Sequence, residues 1–213
     1  MTHQLLSYIV KKLLIRHPSG QKIKFCVLST AAELEQIAAF RLEQYQRRLP
    51  YMLQELNSQG LDGFDARSLH IYLKDQQEIL AVVRFSPRPF ELESLYSATV
   101  IQKAINSKKL GKTVEISRLI VIDKEGYKGL MPALMLYCSI YLLCCTKYRY
   151  YISYCKMSNA EKFKGFRALK ANSAFKIQAR GEHQYLLYFG HLAQAMLEGI
   201  ISAIQRKFKL NKK

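Results

Sequence analysis

The sequence predicts a single α/β domain, built as a mixed sheet with helices on both faces. Short alternating or aliphatic runs of strand length recur along the chain, with segments of helical period between them. No internal repeat, low-complexity linker or shift in composition divides the 213 residues. A chain of 24.7 kDa with 49% hydrophobic residues, 10 Gly and 5 Pro is too apolar and too little broken for disorder, and it can bury a sizeable core.

Leu5, Leu6, Ile9, Val10, Leu13 and Leu14 recur in pairs every four residues, which puts them on one helical face. His17-Pro18-Ser19-Gly20 ends that segment. Lys22 to Leu28 alternates as a strand. Thr30 caps the next helix, with Glu33 completing a capping box, and the helix runs from Ala31 to Arg48 before Pro50 breaks it. Gly60-Leu61-Asp62-Gly63 is a turn. Ser68 to Leu73 and Ile79 to Phe85 form a hairpin across the polar residues 74–78. Pro87 and Pro89 end the second of these strands, and Glu91 to Lys109 is an insertion of helical character.

Thr113 to Ile122 is the clearest strand, aliphatic or β-branched in its second half and hence central. An apolar helix follows from Leu130 to Cys145, then a strand from Tyr148 to Cys155. A basic amphipathic helix capped by Ser158 is expected to run to Lys170. Ala174 to Gln178 and Gln184 to Phe189 read as a terminal hairpin. Leu192, Met196, Ile200, Ile204 and Phe208 repeat at i+4 in a last helix that ends in Arg206, Lys207, Lys209, Lys212 and Lys213. The chain thus divides into an amphipathic helix over 1–20, a body over 21–190, and a helix with a basic tail over 191–213.

Both terminal segments fit either a helix docked on the core or peripheral contact with a membrane or acyl chain. Neither reads as a signal peptide, and no run of about twenty apolar residues reads as a membrane span. The formal net charge of +17 leaves three classes of partner: nucleic acid, an anionic membrane surface, or an acidic protein or phosphate-bearing substrate. Nucleic acid is the weakest, since no recognition motif appears and the 14 Tyr lie largely within apolar stretches. Cysteines 26, 138, 144, 145 and 155 are odd in number and lack metal-ligand spacing, so no metal site is expected and a reduced, cytoplasmic setting is. Cys138, Cys144 and Cys145 read as core, and so does His70.

Charges interrupt this apolar plan at a few places. Arg41 lies in the first long helix, and Asp62 and Asp65 in the Gly-rich turn. Arg84 sits near the end of an aliphatic strand, and Glu115 and Arg118 lie on the central strand. A spacing of three puts Glu115 and Arg118 on opposite faces unless a bulge intervenes. Covered charges must pair, so a structural salt-bridge cluster accounts for the set as readily as a reaction site does.

The ordered set Arg41, Asp62-x-x-Asp65, Arg84, Glu115-Ile-Ser-Arg118 resembles that of the acyl-homoserine lactone synthases. It is similar also to the N-acyl amino acid synthases and ornithine-lipid acyltransferases. The likeness runs from about Ile23 to Phe189 and implies the N-acetyltransferase-like (GNAT-type) fold, with 21–190 as the acyltransferase domain. In that fold the central strand splays from its neighbour and receives the pantetheine arm of an acyl donor. The resemblance places Leu119, Ile120 and Val121 beside the pantetheine, with a backbone N–H on the thioester oxygen. It places Lys128 and Gly129 at a phosphate-cradling turn before a helix N-terminus.

Leu130-Met131-Pro132 stands where a second glycine would let the backbone approach a coenzyme A pyrophosphate. That favours an acyl carrier protein as donor and partner, with its acyl-phosphopantetheine as co-substrate and no tightly bound cofactor. Lys128, Lys156, Lys162, Lys164, Arg167 and Lys170 are candidates to dock it, or else form a solvated face. The lactone synthases carry a tryptophan after the first helix. This chain has no Trp, only Tyr45 and Tyr51 nearby, which favours an amino acid acceptor. The resemblance includes members that acylate tyrosine.

The expectation is a bacterial N-acyltransferase that moves a medium or long fatty acyl group to a free amino acid by direct attack, without an acyl-enzyme. It would be cytoplasmic or peripheral to the inner membrane face. Glu115 would hold or deprotonate the ammonium, Arg84 or Arg118 the carboxylate, and Arg41, Asp62 and Asp65 would lock the N-terminal helices over the site. The alternatives are an acyl-homoserine lactone synthase using S-adenosylmethionine and an acyl- or acetyl-coenzyme A N-acetyltransferase.

Overall fold

The computed structural model describes residues 4, 8, 10, 23–123, 125, 127, 129–163 and 174–210, with the side chains of 103–104, 161–163, 202–203 and 205–210 set aside. Seven strands form one sheet in the order β1-β2-β3-β4-β5-β7-β6. They are β1 (Ile23–Val27), β2 (Leu69–Asp75), β3 (Glu78–Ser86), β4 (Thr113–Val121), β5 (Tyr150–Lys156), β6 (Ala174–Lys176) and β7 (Gln184–His191). Every pairing is antiparallel except the parallel contact of β4 with β5.

The helices are α1 (Ala31–Arg48), α2 (Glu91–Leu95), α3 (Ala98–Ala104), α4 (Ser107–Leu110), α5 (Leu130–Cys145) and α6 (Leu192–Leu210). Thr30 and Glu33 form the expected capping box on α1. α5 packs on one face of the sheet, where Phe25, Val83, Val114, Tyr137 and Leu142 share a cluster with Val10 and Leu192. α1 covers the other face through Ile37, Phe40, Tyr45, Tyr72 and Ile120. The short helices α2 and α3 pack with β5–β7 through Phe90, Leu92, Ile101, Ile152 and Tyr185. The expected mixed sheet with helices on both faces is therefore present, and the insertion after Pro89 is the three short helices α2–α4.

Two local readings change. Cys138 is buried as expected, but Cys144 and Cys145 are exposed, because they end α5 where it leaves the sheet. The segment after β5 begins as a 3-10 helix, Met157–Phe163, so Ser158 lies inside it instead of capping it. Its continuation, with Lys164, Arg167 and Lys170, lies outside the described residues, as do Lys128 and most of 1–20.

Two features of β4 position the site. Pairing with β5 ends at Ile116–Ser153, where the Ser153 hydroxyl donates to the Ile116 carbonyl at 2.9 Å, and the two strands then part. On its other side β4 bulges: Arg84 pairs with Ser117 and Val82 with Ile120, leaving Arg118 and Leu119 opposite one residue. Arg118 adopts φ +52°, a left-handed conformation that costs a β-structure residue about 1 kcal/mol or more.

Candidate active site

The parting of β4 from β5 opens a cleft of about 210 Å³. Ile116–Leu119 form one wall and Ser153–Lys156 the other. Tyr45, Tyr51 and Met52 roof it from α1 and the turn after it, and Tyr185 and Arg180 close one side. Tyr51 is also flanked by the Lys156 ammonium, 4.3 Å from its ring centroid.

Behind the cleft lies a buried ionic network. Arg41 of α1 grips Asp65 with two hydrogen bonds, Nη1 to Oδ2 at 2.8 Å and Nη2 to Oδ1 at 3.0 Å. Burial would raise the Asp65 pKa, but Arg41, the Asp62 amide and Arg84 hold it well below the usual carboxylate range. Arg84 reaches Asp62 at 2.5 Å, Asp65 at 3.0 Å, Ser117 at 3.0 Å and, through Nη2, Glu91. Arg118 donates from Nη2 to Asp62 and Glu91, each at 2.8 Å. Arg180, in the turn between β6 and β7, pairs with Glu55 and lies 3.4 Å from Glu91.

The bulge resolves the spacing problem on β4, since Glu115 and Arg118 both meet Glu91. Glu115 accepts the Glu91 amide at 2.6 Å and the Leu92 amide at 3.1 Å, so its carboxyl group closes the N-terminus of α2. It is 0% exposed, and burial, reinforced by the nearby Glu91 charge, pushes its pKa up to about 8. A neutral Glu115 leaves Arg41, Arg84, Arg118 and Arg180 balanced by Glu55, Asp62, Asp65 and Glu91.

The sequence-expected residues thus divide. Arg41, Asp62 and Asp65 tie α1 and its following turns to the sheet. Arg84 is 0% exposed and its guanidinium is surrounded by partners, so the carboxylate-binding role read for it is not available. Glu115 lies behind the cleft, engaged by two backbone amides, and is not placed to hold an ammonium; its burial on a strand covered by α2 was not legible in its spacing.

Arg118 does line the cleft, and its Nε and Nη1 are buried without a hydrogen-bond acceptor, although Nη1 lies 3.0 Å from Glu55. Leu119 lines the cleft as well. Ile120 instead packs under α1, and the Val121 carbonyl accepts Arg48 at 3.0 Å. Gly129 sits at φ +86° immediately before α5, a left-handed conformation that glycine adopts without a Cβ penalty. Lys156 stands on the cleft wall beside Tyr51, and the Lys162 side chain lies outside the described residues.

Sequence reasoning missed Glu55, Glu91 and Arg180. Each sits in a turn or at a helix start, and only the fold brings them to Arg118. It also missed the aromatic lining from Tyr154, Tyr185 and Tyr188. Cys155 is a thiol on the cleft wall; burial raises its pKa and outweighs the lowering from the Tyr188 hydroxyl 3.5 Å away, which favours the thiol over the thiolate. Among the described residues no group of His, Cys, Asp and Glu is arranged to hold a metal ion.

Comparison with known proteins bears on the fold. Residues 39–136 match the acetyltransferase (GNAT) domain family. Among solved structures, a CoA-dependent acyl-homoserine lactone synthase, MesI, superposes with a TM-score of 0.62 at 11% identity, covering 84% of this chain and 95% of that one. Another, BjaI with SAM and isopentyl-CoA, gives 0.64 at 13% identity, covering 85% and 90%. FeeM, an N-acyl amino acid synthase from uncultured soil microbes, gives 0.59 at 12% identity, covering 82% and 93%. No curated protein matches the sequence. At these identities the likeness is one of fold, and the fold is the acetyltransferase (GNAT) fold.

Proposed function

We propose, from the acetyltransferase (GNAT) fold of this chain, that it is an N-acyltransferase that moves a fatty acyl group from a carrier-protein thioester to the α-amine of a free amino acid. The observation that carries the acceptor class is Arg118. It is a cleft-lining guanidinium whose buried Nε lacks an acceptor and whose Nη1 has only Glu55, 3.0 Å away, beside it. A buried cationic N–H without a partner costs on the order of 1–3 kcal/mol, and an acceptor carboxylate would supply the missing oxygens. Glu55, shared by Arg118 and Arg180, fixes both side chains at the cleft edge.

The amine attacks the thioester carbonyl directly. Its nitrogen gains the acyl group, the carbon–sulfur bond breaks, and the carrier thiolate leaves and takes a proton. No carboxylate lines the cleft among the described residues, so water takes the ammonium proton before attack. Free backbone groups of β4 beyond Ile116, on the side away from β3, supply the oxyanion donor. The carrier donor is supported by the +17 charge and by the lack of a second glycine over Leu130-Met131-Pro132, where the backbone would have to approach a pyrophosphate. Tyrosine is one acceptor that suits a cleft lined by Tyr45, Tyr51, Tyr154 and Tyr185.

A second reading, an acyl-coenzyme A donor with an acyl-homoserine lactone product, is favoured by the likeness to the CoA-dependent synthases. Mass spectrometry of lipid extracts from cells expressing the chain, followed by assays of the purified protein with acyl-carrier and acyl-coenzyme A donors, decides between them. New N-acyl amino acids are expected. Arg118→Gln should lower kcat/KM for the amino acid roughly 10- to 100-fold, the worth of a charged hydrogen bond. An acyl-homoserine lactone selects the second reading. Full activity in Arg118→Gln removes the carboxylate role.

A further inference from the structure

The helix α6 presents apolar residues on two sides. Leu192 is buried, and Met196 and Ile200 pack against the core cluster, which accounts for the first three residues of the i+4 stripe seen in the sequence. A second stripe faces outward: Leu197 is 55% exposed, Ile201 53% and Ile204 43%, with exposed Ala193 one turn earlier. Three large aliphatic side chains at spacings of four and three form one continuous strip along a helix. Residues 199–213 contain no Asp or Glu and carry Arg206, Lys207, Lys209, Lys212 and Lys213. Near the other end of the chain, Val10 is buried in the same cluster as Leu192. Residues 1–22 likewise contain no acidic residue and carry Lys11, Lys12, Arg16 and Lys22, and Tyr8 is 58% exposed.

We propose that the outer stripe of α6 docks the protein on an anionic lipid bilayer, with Leu197, Ile201 and Ile204 entering the acyl boundary and the basic residues that follow them in sequence meeting the headgroups. The strip and the charge answer the two requirements of an interfacial helix: apolar area on one side and cations beside it. Among the described residues no helix is long and apolar enough to cross a membrane, so the contact is one of lying on the surface. A second copy of the chain is the poorer occupant, because pairing two such faces would bring like-charged termini together on molecules of charge +17.

The test is co-sedimentation of the full chain with vesicles of phosphatidylglycerol and phosphatidylcholine, against vesicles of phosphatidylcholine alone. The wild type should pellet with the anionic vesicles, and less so as salt is raised. The variant Leu197→Gln/Ile201→Gln/Ile204→Gln should bind at least about tenfold more weakly, because it removes only apolar surface. All three positions are exposed, so its melting temperature should match the wild type. Arg206→Gln/Lys207→Gln/Lys209→Gln is a second variant that weakens anionic binding while keeping the stripe.

The proposal fails if the wild type stays in the supernatant, or if the apolar variant binds equally well. It fails also if binding ignores phosphatidylglycerol. A dimer in sedimentation equilibrium that the apolar variant dissociates would make the stripe a contact between copies. None of these readouts depends on acyl transfer, so the docking surface stands or falls apart from the reaction assigned above.

Discussion

Glu115 takes the amides of Glu91 and Leu92, and replacing it with alanine leaves both donors buried and unmet. That loss should cost about 2–4 kcal/mol, read as a lower urea midpoint, while Glu115→Gln should cost less because its carbonyl still accepts one amide. The raised pKa sets the sign of a pH effect. Between its ordinary 4.5 and about 8 the folded protein keeps a proton that the unfolded chain has released, so stability falls as pH rises through that window. Glu115→Gln should flatten the slope there, and an unchanged slope would place the titration elsewhere. At this scale the sequence was legible in part. Arg118 could be singled out, because a charge on an aliphatic strand demands partners, but its partners Glu55 and Glu91 come from a distant turn and a helix start. Arg84 and Glu115 look equally functional in sequence; only their complete enclosure, by carboxylates in one case and amides in the other, distinguishes support from contact.

The turn after α1 gives an element whose sequence and structure agree closely. Gly60 adopts φ +82°, its carbonyl accepts Arg41 at 3.3 Å, and a Cβ there would stand 2.6 Å from the Ala38 carbonyl oxygen. Gly60→Ala adds a left-handed penalty of about 1–2 kcal/mol to that clash and should move α1 relative to Asp65, lowering both melting temperature and acyl transfer. A variant as stable and active as the wild type would show that the turn yields. The periodic elements were legible for a physical reason: a capping box and a proline stop on α1, alternation in β1, and an aliphatic run in β4 each answer to local geometry. The 3-10 start after β5 and the outer stripe of α6 were not. The first lacks a period to read, and on α6 the inner and outer rows are both aliphatic, so the sequence does not say which one meets the core.

Across the whole molecule the sheet is two blocks, β1–β4 and β5–β7. They are joined by four residue pairs from Thr113–Tyr150 to Ile116–Ser153. The mixed sheet followed from element order alone, but where it would part did not, because pairing that stops mid-strand leaves no mark in side-chain pattern. This seam gives the parting of β4 and β5 a consequence for cooperativity. Without its donor the protein should breathe along that line, with amides of residues 117–119 exchanging their hydrogens for deuterium faster than those in β2 and β3. A pantetheine arm lying in the seam would act as a borrowed strand and couple the two blocks. Adding coenzyme A or phosphopantetheine should therefore slow exchange in 117–119 and raise the melting temperature. Unchanged exchange would mean that the seam is not where the donor lies. If exchange slows instead, donor binding would complete the sheet as well as begin a turnover, a late step of folding repeated in each cycle.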